Sequence, residues 1–292
     1  MKLFEDRSTI STRTWLMFGS VNKKSYRKDL YMKKGLKLNV GKWVSVGAIF
    51  ASVALVPATS FAAASNTSSG LNGLLNQASS AKNSQNSQVC GALCQQIQSA
   101  GAQEISMRLT SLNSAATKIS QSTHLSASDK SYLSTEVSGE ITGLTALQTK
   151  LAADTSLNTA ISDAKSIFSD YRVYALVLPK VNLVATSDGQ QTTESNLTNL
   201  ATQLQAKITQ DSKAGKNVST LQTDLNNMIS SVNTAQGIST SIEQKVLTLQ
   251  PSDFNSNHDI LTGDLAQLKT AHADNESAYA DAKTIVAGLK SL

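Results

Sequence analysis

VSTLQTDLNNMISSVNTAQGISTSIEQKVLTL, residues 218–249, decides the fold. Its apolar positions Val218, Leu221, Leu225, Met228, Val232, Ala235, Ile242, Val246 and Leu249 recur at alternating steps of three and four, with Ser239 in the polar slot. Such steps return side chains to one face of an α-helix, so the stretch is a coiled-coil-like seam. A helix of this length runs ~48 Å, and its stripe needs at least one partner helix to cover it. Gly215 reads as the C-cap glycine of a preceding helix, Asn217 or Ser219 as the next N-cap, and Pro251 as the stop. Both ends therefore turn the chain back onto the seam.

The neighbouring segments supply partners. Ile105, Leu109, Leu112, Ala116 and Ile119 carry one helical stripe that ends near His124, and Leu133, Val137, Ile141, Leu144 and Leu151 carry the next. Ser126 followed by Asp129 predicts the N-cap between them. A third stripe begins near Asp154 or Thr155 with Ile161, Ala164, Phe168 and Tyr171. Residues 173–185 form the most apolar run, and Pro179 within it predicts either a kinked helix or two short strands; helical neighbours favour the former. After a weak point at Asp188 and Gly189, Leu197, Leu200, Leu204 and Ile208 resume the pattern. The last helix places Leu261, Leu265, Leu268, His272, Asn275, Tyr279, Ala282, Val286 and Leu289 on a partly polar seam. The expected fold is all-α: an elongated antiparallel bundle of about five or six helices with coiled-coil-like hairpins.

Charge separates the first residues from the rest. Residues 1–62 hold 11 Lys plus Arg against 3 Asp plus Glu, while the other 230 hold 15 against 18. The pI near 9.1 thus describes the leader, and nucleic-acid binding loses its support. Within that leader, Lys33, Lys34, Lys37 and Lys42 precede an apolar core from Trp43 to Val56, followed by Pro57, Ser60, Phe61 and Ala62. Basic, apolar and small-residue regions in this order predict a signal peptide over 1–62 with an extended n-region, cleaved after Ala62 or else Ala64. Translation starts at Met1 or Met32. Lys37, Gly41, Lys42 and Trp43 resemble the long signals of Gram-positive surface proteins, although Asn39 stands where Tyr is expected. The apolar core falls short of the ~20 residues that a spanning helix needs.

Residues 63–88 read as a disordered linker, since 15 of the 24 residues from Ser65 to Gln88 are Ser, Asn or Gln. Cys90 and Cys94, the only cysteines, are expected to form a local disulfide in an exported chain, with two free thiols as the alternative. The helical domain then spans 89–292.

Tyr171-Arg172-Val173-Tyr174-Ala175-Leu176 before a proline, Ala214-Gly215-Lys216 between long helices, and Asp281-Ala282-Lys283 to Gly288-Leu289-Lys290 resemble a family of exported, helix-rich bacterial proteins of uncharacterised function. The resemblance covers roughly 105–292. It implies an all-helical exported protein and no activity.

Candidate chemistry is sparse. Asp253, Asn255, Asn257, Asp259 and Asp264 place oxygens at positions 1, 3, 5, 7 and 12 of a calcium-type loop, yet His258 stands at the required glycine and Asp264 replaces the bidentate glutamate. An interhelical loop with capping side chains is the plainer reading. Ser162-Asp163-Ala164-Lys165 spells S-x-x-K, without the partner motifs of the penicillin-recognising enzymes. His124, His258 and His272 are scattered and adjoin no metal-ligand pattern. No catalytic residue and no cofactor is implied. The expected function is a secreted or cell-surface, non-catalytic interaction or envelope-associated module, exported by a Sec-type bacterial signal. Its partner would be a protein or an envelope component, or a second copy through its helices, and the mature chain has no stable transmembrane segment. The alternative is a membrane-active, pore-forming-like bundle that conceals residues 173–185 for insertion; Lys180 and Asn182 interrupt that run.

Overall fold

Helices follow one another through the described part of the computed structural model, residues 70–80 and 91–292. No strand occurs among the described residues, so the all-α reading holds. The signal region and Cys90 lie outside them. Residues 70–80 form α1; α2 is Ala92–Gln121, α3 Ala127–Ala152 and α4 Leu157–Ser169. A π-helical turn, Val173–Val177, leads into α5, Leu178–Lys213. Then come α6, Ser219–Thr248, the short α7, Pro251–Ser256, and α8, Asp264–Ser291.

The seam of α6 seats as its spacing requires. Leu221, Leu225, Met228, Val232, Ala235, Ile242 and Val246 are buried, and Ser239 is buried among them. Helices α5 and α8 cover this stripe, and α2 packs against α3 and α4. Gly215 has φ 80°, where an L side chain is strained, and Lys216 N–H returns to Asp211 O, so α5 ends in the expected tight turn. Ser126 Oγ accepts from Asp129 N–H and caps α3.

Three expectations need correction, and that for Pro251 is extended. Residues 70–80, assigned to the disordered linker, are helical, and Leu71, Leu75 and Ala78 are buried in the same apolar cluster as α2 to α4. Leu71, Leu74, Leu75 and Ala78 stand at i, i+3, i+4 and i+7, a full helical stripe that the Ser, Asn and Gln around them mask in any compositional average. The weak point expected at Asp188 and Gly189 does not interrupt the helix: both are buried inside the 36-residue α5. Pro251 not only ends α6 but opens α7 at its first turn, where a missing N–H leaves no intrahelical bond unmade. Finally, the buried face of α8 is Leu268, Ala271, Asn275, Ala278, Ala282, Ile285 and Leu289, rotated from the expected seam. Leu265 is exposed and His272 only half-buried, because alanines at 271 and 278 let α8 approach α6 closely.

Residues 173–185 are helical, with a kink-absorbing device in place of strands. Leu178 N–H reaches Val173 O in the wide π turn, and the chain stays helical through Pro179, which has no N–H to give. Arg172 enters this turn with φ 42°, an uncommon backbone for a non-glycine residue. Its side chain is held from α7: Asn255 Oδ1 accepts from Arg172 Nε at 2.6 Å, and the guanidinium lies 5.4 Å from the Phe254 ring centre. Val173, Leu176, Val177, Leu178, Val181, Leu183 and Val184 are all buried.

Candidate functional site

The start of α3 meets α5 and the end of α6 through polar side chains. Asp129 of α3, Asp188 of α5 and Glu243 of α6 each bring a carboxylate oxygen within 4.8 Å of the others. Each carboxylate already receives a protein donor: Asp188 from Ser126 N–H at 2.7 Å, Asp129 from Ser126 Oγ at 2.5 Å, and Glu243 from the Gln191 amide. Burial first, then the charges of Asp188 and Asp129, push Glu243 up to about 7. Burial likewise raises Asp188, against the opposing pull of the Ser126 amide. The trio therefore reads as a hydrogen-bonded junction between helices. Sequence reasoning found Asp129 as part of a cap but could not see that Asp188 and Glu243, over 50 residues from it and from each other, would face it.

Two turns along the same contact lies Lys180, wholly buried in the apolar run. Its Nζ donates to Glu136 Oε1 at 2.7 Å and to Leu249 O at 2.6 Å, and it sits 5.8 Å from the Tyr132 ring centre. Tyr132 donates to Leu247 O at 2.6 Å. The residue that breaks the apolar pattern thus ties α3 and the last turn of α6 to α5. Glu140, one turn beyond Glu136, is pushed up to about 7 by burial and by the Glu136 charge, with Lys180 opposing.

Helices α5 and α6 leave an open groove of about 290 Å³ lined by Thr198, Ala201, Thr202, Gln205, Ile229, Val232 and Asn233. Val232 is buried at the seam, and Ile229 is 37 % exposed. The groove takes a small apolar group between hydroxyls and amides. Sequence analysis placed Val232 on the seam but gave no sign of a groove, which depends on how two helix surfaces diverge.

The oxygens of the calcium-type loop are taken up by protein donors. Asp253 Oδ2 accepts from Gln250 N–H at 2.8 Å and caps α7, while Asn255 holds Arg172 and donates to Ser169 O. Asn257 Oδ1 accepts from Asp259 N–H, and Asp264 pairs with Lys245 at 2.8 Å. Their oxygens serve four separate partners. Ser162 and Lys165 are exposed on α4, with Asp163 between them paired to Lys150. His272 lies 3.5 Å from Glu276, and His258 stacks obliquely on Phe254. Cys94 is buried on α2, and its expected partner Cys90 is outside the described residues.

No protein-family model, curated protein or solved structure matches this chain.

Proposed function

We propose that the protein is an exported, non-catalytic helical module that binds a protein or cell-envelope partner. The observation that carries the reading is the groove between α5 and α6, where a half-exposed Ile229 and the buried Val232 sit among Thr198, Thr202, Gln205 and Asn233. An apolar floor rimmed by uncharged donors and acceptors suits an aliphatic or aromatic side chain with its polar neighbours. The polar groups elsewhere support the same reading, because Ser126, Asp129, Tyr132, Lys180 and Glu243 hold helices to one another. Export is supported by the order of basic, apolar and small residues in 1–62. The test is capture of the purified helical domain on native bacterial cell surfaces, comparing wild type with Ile229→Glu and Thr202→Lys. Loss of capture by both variants, with unchanged melting, supports the groove. Equal capture by all three proteins overturns it.

A second reading, membrane activity, has one observation in its favour: seven large apolar side chains of the 173–185 run are sequestered, held by a lysine. No helix among the described residues is long and apolar enough to cross a membrane. Leakage of dye from anionic liposomes, compared between wild type and Val177→Asp, separates the two readings.

A further inference from the structure

Helices α5, α6 and α8 are joined across an apolar seam by one polar layer. Glu194 of α5, Ser239 of α6 and Asn275 of α8 meet there, each 0 % exposed. Ser239 Oγ is 3.0 Å from Glu194 Oε1 and 2.9 Å from Oε2, and it is also 3.3 Å from Gln236 O on its own helix. Asn275 Nδ2 is 3.4 Å from Glu194 Oε1. Leu197 on α5, Ala235 and Ile242 on α6, and Ala271 and Ala278 on α8 flank the layer along the seam, and one turn before Glu194 the buried Gln190 donates to Leu268 O of α8.

Proton counting distinguishes two states. An ionised Glu194 would receive only the single hydroxyl proton of Ser239, shared between its two oxygens, and one Asn275 amide proton at 3.4 Å, so a full charge would sit in the core with two neutral donors. A neutral Glu194 gives each of these contacts its own proton and leaves Asn275 Oδ1 as the one oxygen of the three side chains without a donor. Its own O–H donates from Oε2 to Ser239 Oγ, the serine proton passes to Gln236 O, and Oε1 accepts from the Asn275 amide. We propose that Glu194 sits in this layer as the carboxylic acid, donating to Ser239 Oγ, and that the layer is a lock between α5, α6 and α8 that is closed in acid and opens as the proton is lost.

The groups around the lock support it. From α6 the group facing Glu194 is Ser239, and from α8 it is Asn275; no cation and no second carboxylate contributes to its electrostatics. On α5 the preceding acidic residue, Asp188, is turned to Ser126. One turn past Ser239, Glu243 is engaged by Gln191 of α5, and His272, a turn before Asn275, pairs with the exposed Glu276 that follows Asn275. Burial therefore raises Glu194 from its ordinary range, opposed only by Ser239 and Asn275. For a carboxyl so raised, the folded state holds its proton more tightly than the unfolded state does. The stabilisation is complete below the ordinary glutamate range and declines as pH rises through the folded value.

The test uses Glu194→Gln, whose amide donates to Ser239 and accepts from Asn275 as the acid does. In the infrared difference spectrum between wild type and this variant, a carboxylic-acid carbonyl stretch should persist above the pH at which exposed carboxyls have lost theirs. The melting temperature of E194Q should equal that of wild type near pH 4 and exceed it progressively as pH rises. Disappearance of the band together with the exposed carboxyls, or an E194Q melting curve displaced below wild type by a constant amount at every pH, overturns the proposal. Should E194Q fail to fold, a Glu140→Gln/Asp188→Asn/Glu243→Gln triple variant serves instead. Removal of these three raised carboxyls must leave a band that outlasts the exposed carboxyls, and its absence is equally decisive against the lock.

Discussion

The N-terminal helices bury a cation beside a carboxylate, whereas the three C-terminal helices bury a carboxylate beside a hydroxyl and an amide. On α2, Glu104 and Arg108 stand one turn apart, buried and paired, with the Arg108 guanidinium 4.9 Å from the Phe168 ring centre and 5.0 Å from that of Tyr174. Around them the core is made of Ile97, Ile105, Leu112, Leu133, Leu144 and Ile167. The layer at Glu194, Ser239 and Asn275 has no counter-charge, and alanines at 235, 271, 278 and 282 bring its helices together. Two ways of placing a charge-bearing residue in a core differ in what they make the fold sensitive to. A guanidinium stays charged across the accessible pH range, so a paired core depends on keeping both partners. A solitary carboxyl makes its region answer to pH.

The largest effect expected is on the paired side. Arg108→Met leaves Glu104 buried without its cation and should cost ~3–5 kcal/mol in urea denaturation. The double change Glu104→Met/Arg108→Met should recover most of that loss. A double variant as weak as the single would show that the aromatic stacking of Arg108, not the pairing, dominates. Next, Leu225→Ala in the α6 seam should lose ~2–5 kcal/mol, because Leu225 is wholly buried and a rigid helix face refills little of the cavity. An unchanged midpoint would mean the seam is not the core of the C-terminal helices. Ser239→Leu should lose ~1–3 kcal/mol, since it removes the hydroxyl partner of Glu194. A stabilised variant would dissolve the contrast between the two regions.

The smallest effect concerns Glu243 of the acid junction and Glu140 beside Lys180. Glu140 and Glu243 ionise in the fold near 7, above the usual glutamate range. Their folded values are raised, so their contribution is most favourable below pH ~4.5 and is lost progressively as pH climbs to ~7. Glu243→Gln should therefore melt above wild type at pH 8 and alongside it at pH 4.5. Equal displacement at both pH values would show that Glu243 acts through packing alone.

Much of the architecture was legible from spacing. The α6 stripe, the Gly215 turn, the Ser126 cap and the helix on either side of Pro179 all rest on short-range rules, in which a residue and its partner lie within two turns of each other. The candidate sites were not legible, and the reason is distance along the chain. Glu194 finds Ser239 across 45 residues and Asn275 across 81, and Lys180 finds Leu249 O across 69. Nothing local marks them as partners.

By itself, then, the chain determined that residues 92–291 run as amphipathic helices and where most of them turn, because 3.6-residue periodicity, caps and glycine conformations act over a few residues. Tertiary structure alone decided that the stripe of 70–80 is buried against α2 to α4, that α8 turns Ala271 and Ala278 inward in place of His272 and Tyr279, and that Ser239 is a hydrogen-bond partner rather than a gap in a seam. Each of these depends on which surface a neighbouring helix offers, and burial and hydrogen bonding become defined only when the helices meet.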